Sequence, residues 1–297
     1  MPMIAFDPIY THPVPQNHRF PMEKYALLYE ALLWEGIAEP TDFFTPEPAS
    51  FEQLILVHSP TYVRQFLSLT LPQREAIRIG FQQSEQLVRR EVSLVGGTLQ
   101  GAQYALENGC AFNIAGGTHH AFSNRGEGFC MLNDQAVATA YLLKHLRISP
   151  ILIIDLDVHQ GNGTAEIFAH TPEIFTFSMH ATHNYPFEKE TSDWDILLPD
   201  DTGDERYLSV LDEALRALFD RVQPRFVFYQ SGVDVLQSDK LGRLSLTLDG
   251  CKQRDTLVYE YIQRYGLPIQ CSMGGGYSPK IDTILKAHTN TFRVFLS

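Results

Sequence analysis

Three side chains able to bind a metal stand just after two apolar runs. Asp157 and His159 follow Ile151 to Ile154 in the segment Asp155-Leu156-Asp157-Val158-His159-Gln160-Gly161-Asn162-Gly163. Asp234 follows Phe226 to Tyr229 in Gln230-Ser231-Gly232-Val233-Asp234. A continuous apolar run bounded by turn residues reads as a strand buried on both faces. Carboxylates and an imidazole crowded at such a strand end lose water, and a metal ion would compensate for that loss. Two aspartates and one histidine leave coordination positions open for water and substrate, as a catalytic zinc site does and a closed structural site does not. Taken alone, an Asp-x-Asp-x-His run reads equally well as a capped turn.

Two further segments carry groups suited to the same chemistry. Gly116-Gly117-Thr118-His119-His120-Ala121 places adjacent histidines in a glycine turn after the apolar run Ala111 to Ala115. Hydrolysis at a metal needs a base for the water and an acid for the leaving group, and a histidine pair supplies both. Gly274-Gly275-Gly276-Tyr277 follows the run Pro268 to Met273. Its glycines, Gly275 among them, let the backbone come close to a ligand. The Tyr277 phenol can polarise a carbonyl and stabilise an oxyanion.

The elements that must position these groups alternate along the chain. Strands are expected at Met3–Phe6, Leu54–His58, Ala111–Ala115, from Ile151, at Ile174–Ser178, Phe226–Tyr229 and Pro268–Met273. Helices are expected at Met22–Trp34, from Ser59-Pro60, at Ser84–Leu106, from Asn133-Asp134 to Leu146, and at Glu205–Arg221, Asp249–Tyr265 and Pro279–His288. Pro8–Pro21, Pro40–Ser50 and His180–Thr202 read as loops. This alternation predicts an α/β fold of three layers, with a mostly parallel central sheet and helices on both faces. Ligands of such sheets bind at the carboxyl ends of strands, where all the residues above fall. No repeat or linker divides residues 1–297, so one domain is expected.

Composition narrows the partners. The chain has 297 residues, 44% hydrophobic and 20% charged, an ordinary balance for a folded protein. A net charge of −12 argues against nucleic acid and anionic membranes and favours a basic substrate. The four cysteines show no paired spacing, and Met1–Asp7 shows no basic segment leading into a long apolar run. A reducing, cytoplasmic location is the expectation. The sequence carries no signal for oligomeric state.

Together, Gly116–Ala121, Gly128-Phe129-Cys130-Met131-Leu132-Asn133-Asp134, Asp155–Gly163, Ser231–Asp234 and Gly274–Tyr277 resemble the zinc-dependent histone deacetylase family, in the family's order. The likeness runs from His18-Arg19-Phe20-Pro21-Met22 to Tyr277. Gln160–Gly163 and Asp239-Lys240-Leu241-Gly242 look most like the class IV branch and its bacterial relatives. The resemblance implies the arginase/deacetylase fold and hydrolysis of acyl-lysine amides. It implies zinc on Asp157, His159 and Asp234, an acid/base pair in His119 and His120 with His120 as base, Asp155 orienting His119, and Tyr277 on the acyl oxygen. Gly128 and Phe129 would form one tunnel wall, with Tyr185 at its mouth, and Arg19 would match an arginine of an internal channel. A potassium ion beside the zinc would use Asp155, the carbonyls of Asp157 and His159, and Ser178 with Met179.

Two departures stand out. Asn162 occupies a position where most family members carry aspartate, so His120 is expected to titrate lower here than in those relatives. Gly80-Phe81-Gln82-Gln83 lacks the acid that class I members use to hold a peptide backbone. The partner is therefore an acyl-lysine peptide or another acylated amine, such as an acetylpolyamine. A ureohydrolase using two manganese ions is a rival on the same fold. An inactive relative that binds acyl-lysine is a rival from another class. His58, His145, His170 and His288 read as surface or structural.

Overall fold

In the computed structural model, residues 3–296 are described. Met1 and Pro2, which begin the segment searched for a leader, and Ser297 lie outside the described residues. Eight strands form one sheet: β1 (Met3–Ala5), β2 (Phe43–Phe44), β3 (Cys110–Asn113), β4 (Ile151–Asp155), β5 (Ile174–Ala181), β6 (Trp194–Leu198), β7 (Phe226–Gln230) and β8 (Ile269–Ser272). Their order is β2-β1-β3-β8-β7-β4-β5-β6, and every pairing is parallel. The helices are α1 (Lys24–Trp34), α2 (Phe51–Leu54), α3 (Pro60–Leu67), α4 (Gln73–Ile79), α5 (Glu85–Asn108), α6 (Asp134–Leu146), α7 (Asn162–Phe168), α8 (Asp204–Val222), α9 (Leu248–Tyr265) and α10 (Ile281–Leu296).

Helices cover both faces, as expected, and β3 shows how. Alternate side chains of a strand point to opposite faces. Phe112 stacks on Phe292 of α10, with ring centroids 4.4 Å apart. Its neighbour Asn113 turns the other way and donates to Leu94 O and Thr98 Oγ1 of α5, both at 2.8 Å. β4 and β7 are fully buried, which explains their unbroken apolar runs.

Five local expectations need correction. Leu54–His58 is not a strand: Ser50 and Gln53 form a capping box that winds Phe51–Leu54 into α2. His58 is nonetheless structural, its ring bridging Phe122 O and the Asn133 amide, each at 2.9 Å. The expected loops at 40–50 and 180–202 each hold a strand, β2 and β6, both at the sheet edges and only partly buried. α7 begins inside the glycine-rich segment at Asn162. α10 runs past His288 to Leu296.

One buried cation braces the sheet edge that carries the site. Arg254 of α9 is fully buried. It donates to the carbonyls of Gly232 at 2.5 Å and of Leu156 and Ser231 at 3.3 Å, and pairs with Asp255 at 2.8 Å. Asp255 also accepts from Tyr229 and Thr291. Removing one partner of a buried pair strands the other charge. Arg254→Met is expected to lower the free energy of urea unfolding by about 3–5 kcal/mol. A loss below about 1 kcal/mol, the range of surface pairs, would show that this pair braces nothing.

Candidate active site

The loops after β3, β4, β7 and β8 converge at one edge of the sheet. One cavity there is lined by His119, His120, Gly128, Asp157, His159, Gly275 and Tyr277, with Phe20 and Phe129 as its aromatic side.

Among the described residues, Asp157, His159 and Asp234 form the one group of three or more metal-binding side chains placed to share an ion. Their donor atoms lie within 4.8 Å of one another. His159 Nδ1 sits 3.1 Å from Asp157 Oδ1 and 3.1 Å from Asp234 Oδ2. Backbone amides fix the carboxylates: His159 and Gly275 donate to Asp157, and Val158 donates to Asp234. Gly232 is required by close approach, because a Cβ there would stand 2.1 Å from Asp157 Oδ2. Burial, and then the Asp157 charge, push Asp234 up to about 7. Burial opposes a charge on His159, yet hydrogen bonds and charges from Asp157 and Asp234 raise it to about 10. The cluster calls for positive charge, and a divalent cation would provide it, so the donor set fits a catalytic zinc.

The two histidines are backed differently. His119 Nδ1 lies 2.7 Å from Asp155 Oδ2, and His120 Nδ1 lies 2.7 Å from Asn162 Oδ1. Against the cost of burial, Asp155 and Asp157 raise His119 to about 9. Burial, with His119 and His159 nearby, holds His120 well below its ordinary value, and the Asn162 bond opposes this only in part. The two rings thus differ in environment, one backed by a carboxylate and the other by an amide. Asp134, the first residue of α6, accepts from the Gly117 and Thr118 amides and from the Thr98 hydroxyl, and so holds the turn that presents both rings.

Tyr277 packs edge-on against Phe20, with centroids 5.8 Å apart. Its amide donates to Asp239 Oδ2 at 2.6 Å, while Asp239 Oδ1 accepts from Leu241 and Gly242. Asp239→Ala would free this backbone and is expected to lower kcat on the order of 100-fold with KM little changed. Steady-state kinetics on an acyl-lysine reporter checks it, and an equal fall in 1/KM would refute the positioning role.

Other sequence expectations divide. Asp155 and Ser178 are register partners on β4 and β5, and Met179 follows, so the residues named for potassium are neighbours. Tyr185 stands beside the cavity, its ring edge meeting His120 with centroids 5.0 Å apart. Arg19 is exposed and corrects the internal-channel expectation. Lys24 and Arg90 are the buried cations there instead: Arg90 lines the cavity, while Lys24 donates to Gly274 O at 3.1 Å and stands over the Tyr277 ring at 5.5 Å. Burial outweighs Asp234, Asp157 and Asp239 and lowers Lys24 to about 8. The spacing Lys24, Leu28, Leu32 already places it on the buried face of α1. Phe81 packs inward against His18, Phe20 and Phe129, so its segment supports the aromatic wall.

A parallel sheet that gathers an Asp/His/Asp cluster and two backed histidines at one edge is the frame of a hydrolase. A histone deacetylase domain profile matches residues 18–292, and the chain belongs to the histone deacetylase family. An uncharacterized protein of Picosynechococcus is 43% identical over 286 residues, covering 96% of this chain and 95% of that one. Histone deacetylase 2 of Arabidopsis thaliana is 33% identical, over 88% of this chain and 70% of its own. The acetoin utilization protein AcuC of Bacillus subtilis is 30% identical, over 92% and 76%. The crystal structure of a deacetylase homologue from Aquifex aeolicus superposes with a TM-score of 0.84 at 25% identity, over 98% of this chain and 82% of that one. No helix among the described residues is long and apolar enough to cross a membrane.

Proposed function

We propose that the chain is a zinc-dependent deacylase that removes acetyl or longer acyl groups from lysine-type amines. The observation that carries this reading is the placing of two differently backed histidines beside the Asp157, His159 and Asp234 cluster in one cavity. A zinc ion held by those three residues would polarise the amide carbonyl and activate water. His120, neutral, takes the proton of the attacking water through Nε2. Tyr277 donates its hydroxyl to the acyl oxygen as charge builds there. His119, backed by Asp155, gives a proton to the departing amine. Phe20, Phe129 and Tyr277 offer an apolar wall to the alkyl stem of a lysine or a polyamine. Asp155, Ser178 and Met179, with the carbonyls of Asp157 and His159, would hold a potassium ion. Four free cysteines support a reducing, cytoplasmic setting.

Hydrolysis of a panel of acyl-lysine peptides and acylpolyamines, read by mass spectrometry, tests the proposal. Activity should vanish with chelator and fall about 10²–10³-fold in Tyr277→Phe, the cost of one oxyanion donor. Acyl-lysine binding without turnover in the metal-loaded protein would favour the non-enzymatic reading.

A further inference from the structure

Behind Asn162 lies a carboxylate that the mechanism above does not use. Glu127 is 9% exposed and Asn162 is 2% exposed. Asn162 Nδ2 donates to Glu127 Oε1 at 2.9 Å, on the side opposite the bond from Asn162 Oδ1 to His120. The same Oε1 accepts from the Tyr185 hydroxyl at 2.8 Å, and the Tyr185 ring packs on His120. His120, Asn162, Glu127 and Tyr185 therefore form a closed ring of contacts. Arg125 Nε stands 3.5 Å from the other carboxylate oxygen. Glu127 opens the tight turn closed by the Cys130 amide, whose central residues Gly128 and Phe129 have φ of 56° and 68°. That turn also presents Phe129 to the cavity.

An amide is ambiguous where a carboxylate is not. An aspartate at 162 would offer His120 an oxygen in either orientation. An asparagine offers oxygen one way and N–H the other. With N–H facing His120, Nδ1 would become the acceptor and the proton would move to Nε2, the nitrogen that must stay free to act as base. A carboxylate accepts and does not donate, so Glu127 admits only the orientation that sends Nδ2 toward itself and Oδ1 toward His120.

We infer that Glu127 is a positioning residue that sets the amide of Asn162, and through it the Nδ1–H tautomer of His120. The inference rests on His120 being the base. Its direct readout, the tautomer, does not depend on turnover.

The experiment is long-range 1H–15N correlation of histidine-labelled protein, which distinguishes the two ring nitrogens, alongside kcat on an acyl-lysine reporter. Wild type should show His120 protonated at Nδ1. E127L should show mixed tautomers and a kcat lower by about 10–100-fold, as for other groups that orient metal-site residues. E127L/N162D should regain the single tautomer and most of the lost kcat, because a carboxylate at 162 needs no partner to orient it. Should E127L fail to fold, E127Q serves, since its amide can present either an oxygen or an N–H to Asn162 and so also mixes the tautomers. An unchanged tautomer in the Glu127 variant overturns the inference. So does failure of N162D to restore the tautomer in the E127L or E127Q background, because damage from a disrupted turn would not be repaired at 162. Absence of hydrolysis by wild type with the expected tautomers in place would instead sink the deacylase reading.

Discussion

Asp234→Asn is expected to lower acyl-lysine hydrolysis by more than about 10³-fold, the effect of losing several kcal/mol of transition-state stabilisation by the metal. The substitution keeps the volume of the side chain. It removes a charge from a cluster in which Asp234 Oδ2 faces His159 Nδ1 at 3.1 Å. Bound zinc, measured by elemental analysis after dialysis, should fall with the activity. Chelation of wild type should reproduce the loss, and added zinc should reverse it. Full activity in a metal-free Asp234→Asn protein would refute the ligand assignment and the mechanism built on it. The variant should remain folded, because the Val158 amide can still donate to the Oδ1 that Asn keeps.

His120→Ala is expected to cost about 10²–10⁴-fold in kcat, the contribution of a positioned general base. His119→Ala should affect substrates with poor amine leaving groups most, because its proton goes to the leaving amine. The pH profile should separate the two. Activity requires His120 neutral, so it rises with pH through the His120 pKa. Activity also requires His119 protonated, so it falls as pH rises through the His119 pKa. A divalent cation moves both values down, since like charge disfavours the imidazolium. Their order persists, because Asp155 backs one ring and an amide backs the other. Asp155→Asn should therefore shift the basic limb of kcat/KM to lower pH and leave the acidic limb in place. Movement of the acidic limb alone would reverse the assignment of acid and base.

The strand-end residues were legible in the sequence for a physical reason. β4 and β7 are buried on both faces, so each is an unbroken apolar run, and the polar residues that end it mark the ligand edge of the sheet. Edge strands lack that signature. β6 pairs only with β5, and its half-exposed residues blend into a polar loop. α7 is too short to establish a helical period, and its buried start is dictated by Asn162 reaching His120 and Glu127. The supporting residues were missed because their roles depend on long-range contacts. Glu127 lies 35 positions from Asn162, and Arg254 lies 98 from Leu156. Neither separation leaves a local pattern. In the sequence Asp134 marks only a helix start and the end of the segment 128–134, whereas in the fold Asn133 provides the cap and Asp134 holds the histidine turn.

The position of β8 has a consequence for biosynthesis. It lies between β3 and β7, although it is the last strand in chain order, so it joins one half-sheet of β2, β1 and β3 to another of β7, β4, β5 and β6. His119 and His120 hang from the first half, and Asp157, His159 and Asp234 from the second. A nascent chain still short of Ile269 would hold two unfinished sheets, each with a bare hydrogen-bonding edge and half of an active site. Such an intermediate can catalyse nothing and is open to misassociation until one late segment slots into the middle.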